Sequence, residues 1–149
     1  MRSILAVLAM ALLTGCTGGD GGGNIAALEA PRTGKDALPA GKEYLGVVPD
    51  STRLAGEKGG YVFYLARRAD DPSGTEACAV IGRTGDGTGW SAGCSTALSA
   101  AAESVTLESG GVKAAVVTDG YDPQEKLDAG WEQLGNNLLV LVPQAVPGP

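Results

Sequence analysis

The amino-acid sequence predicts a mainly β domain, or an α+β domain, in which a small antiparallel sheet or meander carries one or two short helices and one disulfide. Its apolar residues come in short runs of valine, leucine and tyrosine separated by turn residues, a pattern typical of strands. Glycine is frequent, with 24 residues, whereas two tryptophans, four tyrosines and one phenylalanine are the only aromatic residues. Residues 43–142, about 100 in all, suffice for a single globular domain with one core.

Eight short segments are predicted as strands, because most combine β-branched or aromatic side chains with flanking turn residues. They are residues 44–48, 61–66, 76–81, 90–94, 105–107, 113–117, 131–134 and 138–142. Gly110-Gly111 and Gly135-Asn136-Asn137 separate neighbouring segments and predict two hairpins. The last segment is apolar on both faces, so we expect it to be a central, buried strand.

Two short helices are predicted from their capping residues. Ser95 can cap a helix over residues 95–103, which are rich in alanine. Asp122-Pro123 opens a second helix, residues 122–127, and Gly130 follows its end.

The first residues of the chain have the layout of a secretory signal peptide. Met1-Arg2 is a minimal basic start, residues 4–13 are apolar, and small residues follow. The apolar run is roughly 10 residues long, well short of the roughly 20 that a helix needs to cross a bilayer. We therefore expect residues 1–15 to be a signal peptide rather than a transmembrane helix.

Leu13-Thr14-Gly15-Cys16 directly follows this run and resembles the lipobox of bacterial lipoproteins. The resemblance implies that the Cys16 thiol carries a diacylglyceryl group, that the preceding peptide is removed, and that the mature protein lies on the outer face of the cytoplasmic membrane. Two acyl chains suffice for stable attachment, since each buried methylene contributes about 0.8 kcal/mol. The mature domain is similar in composition to uncharacterised small actinobacterial lipoproteins, a likeness that implies no functional residue.

Residues 16–42 are predicted to be a lipidated flexible linker between the anchor and the domain. Residues 17–23 read Thr-Gly-Gly-Asp-Gly-Gly-Gly, which can neither bury apolar surface nor hold one backbone shape. Residues 24–31 contain only two large apolar side chains and have little to pack. At the other end of the chain, residues 143–149 are predicted to form a loose tail.

Cys78 and Cys94 remain once Cys16 is assigned to the lipid, which leaves an even number in an oxidising compartment. We expect them to form a structural disulfide that closes a loop of about 16 residues and contributes about 3 kcal/mol. A redox-active dithiol or a zinc site is less well supported, because the spacing is not Cys-x-x-Cys and the chain has no histidine. No cofactor or metal is predicted.

The charge balance argues against one class of partner. The formal net charge is −6, and the sequence has no basic stripe. Nucleic-acid binding depends mainly on neutralising phosphates, so nucleic acid is not an expected partner. Because the same charge repels anionic lipid, the anchor must supply the attachment to the membrane.

Gly89-Trp90-Ser91-Ala92-Gly93 matches the G-x-S-x-G nucleophile elbow of α/β-hydrolases, which makes Ser91 a candidate nucleophile. A Ser-His-Asp triad requires a histidine, and this chain has none. A chance match inside a turn explains the motif better, so no catalytic residue is assigned. The other route to hydrolysis is a pair of carboxylates among the 17 acidic residues.

The sequence thus predicts a lipid-anchored cell-surface protein, and we favour a binding or interaction module of the cell envelope. Its expected partners are the membrane, through the anchor, and an envelope protein or ligand. The alternative is an envelope hydrolase that uses carboxylates or Ser91. Trp90 and Trp131 are the two tryptophans, and the sequence leaves open whether each belongs to the core or to a binding site.

Overall fold

The computed structural model describes residues 22–85 and 87–144 of the chain. Within these residues, eight strands form two four-stranded antiparallel sheets, and the connections contain two short α-helices and three 3₁₀ helices. The predicted mainly β fold is confirmed. The predicted signal peptide, the lipidation site Cys16 and the end of the predicted tail lie outside the described residues.

The first sheet is a meander of four consecutive strands. In chain order they are β1 (Arg53–Lys58), β2 (Tyr61–Arg67), β3 (Ala77–Arg83) and β4 (Ser91–Cys94), and each pairs with the next. The continuous apolar runs of β2 and β3 occupy the middle of this sheet, where both faces are buried.

The second sheet has the strand order β5-β6-β8-β7. Its strands are β5 (Glu103–Ser109), β6 (Val112–Val117), β7 (Glu132–Gln133) and β8 (Leu138–Leu141). The Gly110-Gly111 turn joins β5 to β6 as predicted, and both glycines have a positive φ that other residues rarely adopt. β8 lies between β6 and β7 and is largely buried, so its predicted central position is confirmed.

Short helices lie in the connections between strands. The α-helices are α1 (Ala26–Glu29) and α2 (Gln124–Asp128), and the 3₁₀ helices are Gly34–Asp36, Glu43–Leu45 and Pro49–Ser51. α2 corresponds to the second predicted helix. The Asp122 carboxylate accepts a hydrogen bond from the Gln124 backbone N–H at 3.1 Å, close to its predicted capping role.

The helix predicted over residues 95–103 does not form. Ser95 is buried next to β3 instead, and its Oγ accepts a hydrogen bond from the Ala77 N–H at 3.2 Å. Residues 95–102 form a loop, and β5 begins at Glu103. Tertiary contacts of this kind outweigh the modest helix propensity of an alanine-rich segment.

Both faces of each sheet are apolar, and three layers of side chains cover them. The central layer lies between the sheets, where β3 and β4 pack on β5 and β6. Its large, fully buried members include Phe63, Ile81, Val112, Val116 and Leu138. On the outer face of the second sheet, Tyr121, Leu127 and Trp131 pack on a smaller apolar layer.

The structure corrects the linker prediction for residues 24–42, because this segment is part of the fold. Ile25 is fully buried and Leu28 nearly so, and both belong to the central layer. The Ala27 N–H donates to Asn137 Oδ1 at 3.1 Å, which ties α1 to the second sheet. Two large apolar side chains are few, yet they help to close the central layer at one end of the sandwich.

The outer face of the first sheet is covered by residues 34–47, which we call the strap. Leu38 and Leu45 of the strap pack on the apolar layer there. Residues 44–48 are not the strand that the sequence predicts. They contribute to a 3₁₀ helix, and Val47 forms a single β-bridge with Arg68, the residue that follows β2.

A continuous strand is prevented at Gly46. This glycine has a φ of 68° and caps the preceding 3₁₀ helix, so the extended backbone cannot begin before Val47.

The predicted disulfide between Cys78 and Cys94 is present. The two residues face each other directly across β3 and β4, and their Cα atoms are 3.9 Å apart. The bond therefore fastens the edge strand β4 to the centre of the first sheet, on the face that the strap covers.

The two ends of the sandwich differ in what they hold. Gly22, the first described residue, pairs with Ser99 in the loop before β5, and we call this the tether end. The opposite, far end holds the β1–β2 turn, the connection between β3 and β4, and the Gly110-Gly111 turn. None of the helices in residues 22–85 and 87–144 has the length and apolar character of a membrane span.

Asp36 fastens the start of the strap to β1. Its carboxylate accepts hydrogen bonds from the Thr33 N–H at 2.6 Å, from the Thr33 hydroxyl at 2.9 Å and from the Leu54 N–H at 2.8 Å. Burial raises the pKa of Asp36, but these hydrogen bonds and the nearby positive charge of Arg53 outweigh that effect, so the net pKa is below the usual value.

We expect Asp36→Asn to lower the free energy of unfolding by about 1–2 kcal/mol at pH 7, because charge-assisted hydrogen bonds are lost. The native pKa lies below the unfolded value of about 3.9, so this stabilisation is present above that pH and disappears as the pH falls through the native pKa. Urea unfolding between pH 7 and pH 2.5 should show wild type and variant converging at low pH.

Asp50→Asn is the matched control, since the Asp50 side chain is 93% exposed in a surface ion pair with Arg32. It should change stability by less than about 1 kcal/mol. A constant difference in the free energy of unfolding between wild type and Asp36→Asn over the whole pH range would contradict the role given to the Asp36 charge.

Candidate functional site

A cleft of about 340 Å³ opens at the far end of the first sheet, on the face that carries the strap. We call it the Trp90 cleft. Val62 and Tyr64 of β2 lie in its lining, together with Glu57, Arg83 and Trp90. Its remaining members come from the strap and from the connection between β3 and β4: Pro39, Thr84, Gly85 and Gly87.

The strand register sets the width of this cleft. Glu57 of β1 pairs with Val62 of β2, which in turn pairs with Gly82 of β3. Neighbouring strands are about 4.8 Å apart, so the Cα atoms of Glu57 and Gly82 are separated by about 10 Å. The indole of Trp90 lies on Gly82, where an added Cβ would meet three ring atoms at 2.5 Å. The carboxylate of Glu57 and the indole of Trp90 therefore line opposite sides of the cleft.

Trp90 is a buried residue that also lines the cleft. The residue is 8% exposed, and its ring packs beside Tyr64 with the ring centroids 6.1 Å apart. The Lys42 ammonium lies over the indole, 5.3 Å from its centroid. The indole Nε1–H is buried and has no hydrogen-bond partner among the described residues. Buried indole N–H groups usually find a partner, so this unpaired donor is an unusual feature of the fold.

Lys42 joins the strap to the glycine-rich connection between β3 and β4. Its ammonium donates to the Gly87 carbonyl at 2.6 Å while it covers Trp90. The position of the strap around Lys42 thus depends on the same loop that borders the cleft.

The lining of the cleft contains one acidic and one basic side chain, Glu57 and Arg83. Burial raises the pKa of the Tyr64 phenol, and the negative charges of Glu57 and Asp36 raise it further. Tyr64 therefore keeps its proton at neutral pH and can donate a hydrogen bond. No described residue forms a salt bridge with Glu57, whereas the Arg83 guanidinium lies 5.5 Å from the Tyr61 ring and is held by further contacts.

Ser91, the candidate nucleophile of the G-x-S-x-G motif, is the first residue of β4. Its Oγ lies 3.0 Å from the Ser109 Oγ, so the two hydroxyls form a hydrogen bond between the sheets. A serine hydroxyl is not a base that can activate a nucleophile. The arrangement is structural: it holds the far ends of β4 and β5 together.

A second cavity, of about 270 Å³, lies on the outer face of the second sheet beside Trp131. The Lys126 ammonium sits 4.1 Å from the Trp131 ring centroid and also pairs with Glu103 at 2.8 Å. Burial raises the pKa of Glu103, but its bonds to Lys126 and Thr106 lower it below the usual value. Glu103 is thus held ionised by its partners and is poorly suited to act as an acid.

Trp90 and Ser91 could be singled out from the sequence, whereas Glu57, Tyr64 and Lys42 were not predicted as site residues. Trp90 contributes to the apolar layer and to the cleft, whereas Trp131 is a half-buried cover of the second sheet. The alternation of β2 places Val62 and Tyr64 on one face, which is the signal that could have located the floor of the cleft. In the part of the chain that the structure describes, no three side chains of His, Cys, Asp or Glu are grouped to hold a metal ion.

Comparison with known proteins identifies no relative: no family model, no curated protein and no solved structure matches this chain.

We expect Gly82→Ala to displace the Trp90 indole and to destabilise the domain by about 1–3 kcal/mol, as overpacking of a filled site does. Gly82 has no positive φ, so the effect would come from the ring and not from backbone strain. Trp131→Phe leaves Trp90 as the only tryptophan, and its fluorescence in that background should shift to longer wavelength when Gly82→Ala is added.

Gly34→Ala serves as the control, because a Cβ at Gly34 would meet no atom within 4 Å and its φ is not positive. It should leave both stability and fluorescence nearly unchanged. An unshifted Trp90 emission in Gly82→Ala would contradict the packing described here.

Proposed function

We propose that this chain is a lipid-anchored binding module of the cell envelope and that the Trp90 cleft is its ligand site. The observation that carries the proposal is the cleft itself, a cavity of about 340 Å³ whose lining combines the Glu57 side chain with the aromatic side chains of Tyr64 and Trp90. Cavities of this size with a few polar groups are typical of small-ligand sites.

The cleft lies at the end of the domain that would face away from a membrane. Gly22 joins the sandwich at the tether end, and the cleft lies at the far end. The seven residues of β3 connect the two ends over about 20 Å. If Cys16 carries the lipid, the six residues to Gly22 can span at most about 20 Å, so the domain would sit close to the bilayer with its cleft directed outward.

Binding is favoured over the hydrolase alternative for a chemical reason. Ser91 bonds to Ser109 and lies outside the lining of the cleft. The cleft contains one carboxylate, Glu57, among its described lining residues, whereas general acid–base hydrolysis of glycosides uses two. The groups present can orient a ligand but supply no described pair of acid and base.

The anchor is tested at Cys16. Wild-type protein expressed in a bacterium that processes lipoproteins should incorporate labelled palmitate, and mass spectrometry should find the mature chain beginning at Cys16. Cys16→Ser should abolish the label, whereas Thr17→Ser should retain it. An unlabelled wild-type chain in the aqueous phase of a detergent partition would contradict the anchor.

The ligand site is tested with the two tryptophans as reporters. Fractionated envelope extracts are added to the mature lipoprotein in detergent, and fluorescence is followed in Trp131→Phe, which reports Trp90 alone, and in Trp90→Phe, which reports Trp131 alone. A ligand of the cleft should change the emission of the first variant and leave that of the second unchanged. The absence of any active fraction, or a response confined to Trp131, would contradict the proposal.

A further inference from the structure

The outer surface of the strap, on the flank of the domain, carries exposed apolar side chains. Tyr44 is 66% exposed and Val48 is 37% exposed, and no other large apolar side chain of residues 22–85 and 87–144 is as exposed. Each follows a residue that lines a cavity of about 140 Å³, since Glu43 and Val47 both belong to that lining. We call the two side chains and this cavity the strap patch. From its shape and charge, we infer that the strap patch binds a second copy of this chain.

The strap patch supplies both a projecting ring and a cavity that can receive one. Most residues that line the cavity are apolar: Ala37, Leu38, Pro39, Ala40, Val47 and Pro49. An apolar cavity of about 150 Å³ can hold a benzene ring, so a cavity of about 140 Å³ suits the Tyr44 ring of another copy. A surface that carries both halves of a contact can pair with itself about a two-fold axis, and each copy then gives its ring and receives that of the other.

The balance of charge also favours a contact between two straps. The formal net charge of −6 makes two copies repel each other. Residues 31–50 carry three basic and three acidic side chains, so this segment is neutral and the rest of the chain carries the whole net charge. Two copies therefore repel each other least when their straps face each other.

Lys42 and Glu43 provide a charge contact for this pairing, because both line the cavity. Neither forms a salt bridge among the described residues. The Lys42 ammonium is held by the Gly87 carbonyl and the Trp90 ring, and neither group carries a charge that would neutralise it. When Tyr44 enters the cavity of the other copy, its neighbour Glu43 approaches the Lys42 of that copy. The two-fold axis forms this contact twice.

The orientation of the strap suits a contact between neighbours on one membrane, and here the inference rests on the proposed anchor. The strap lies on the outer face of the first sheet, whose strands run from the tether end to the far end. With the tether end toward the bilayer, the strap faces sideways, toward other anchored copies. A two-fold axis along the strands keeps both tether ends on the same side. Attachment to one bilayer also raises the effective concentration of the partner.

The test measures energy transfer between copies of the mature lipoprotein in phosphatidylcholine vesicles. Thr96→Cys, at an exposed position in the loop before β5, carries a donor or an acceptor dye, since Cys78 and Cys94 are bonded to each other. We expect energy transfer that persists when added lipid dilutes the protein, whereas transfer between chance neighbours falls with dilution. Tyr44→Ser should weaken pairing at least about tenfold, because buried aromatic side chains dominate the energy of such contacts.

Tyr44→Phe keeps the ring and is the matched control, which should pair nearly as tightly as wild type. Because Tyr44 is largely exposed in the single copy, Tyr44→Ser should leave urea unfolding unchanged. A loss of transfer in Tyr44→Ser would then not result from unfolding. Equal pairing by wild type and Tyr44→Ser would overturn the inference.

An exchange of charges tests whether strap pairs with strap. Glu43→Lys chains should pair poorly with each other, and so should Lys42→Glu chains, because like charges meet in both cases. A mixture of donor-labelled Glu43→Lys and acceptor-labelled Lys42→Glu should recover energy transfer, since each variant then meets the opposite charge. No recovery in the mixture, with both variants folded, would overturn the proposed contact.

The outcomes separate this inference from the proposed anchor. If lipidated wild type stays on the vesicles but its energy transfer falls with dilution, pairing is overturned while the anchor stands. If the chain carries no lipid, the anchor fails, and sedimentation equilibrium in solution tests pairing alone, where a monomer at every concentration would overturn it. If no pairing is found and brominated lipids quench the emission gained in Tyr44→Trp, the patch contacts the bilayer and the inference is overturned.

Discussion

The fold depends on one constraint: each of its two sheets is apolar on both faces. Joining the sheets buries one face of each and leaves the two outer faces to be covered. At about 25 cal/mol per Å² of apolar surface, an uncovered outer face would cost several kcal/mol and would promote aggregation. The chain therefore supplies a cover for each: the strap on the first sheet, and α2 with its flanking aromatic residues on the second.

This constraint explains why residues that read as a linker are structural. The strap lies on the first sheet and is held at two points. Asp36 accepts a hydrogen bond from Leu54 of β1, and Lys42 donates one to Gly87. The Lys42 contact brings the strap to the glycine-rich connection between β3 and β4, and Trp90 fills the space between them. The cleft lies at this junction, since its lining includes Pro39 of the strap together with Thr84, Gly85 and Gly87 of the connection.

Most strands and their turns could be predicted because their signals are local, although β1 was not among the predicted segments. The apolar run of β2, the Gly110-Gly111 turn and the capping residue Asp122 each act within a few positions of the chain. The role of Ile25 could not be predicted, since its burial depends on a gap between two sheets that come later in the sequence. The same holds for the cleft: Glu57 and Trp90 face each other only through the register of three strands.

The unpaired indole of Trp90 has a cost that the surrounding structure must offset. A buried N–H without a partner destabilises the fold by about 1–3 kcal/mol. The disulfide between β3 and β4, worth about 3 kcal/mol, joins the two strands that precede and follow the loop containing Trp90. Cys78 lies four residues from Gly82 toward the tether end, so the cross-link offsets this cost through the stability of the whole domain and not by holding the indole.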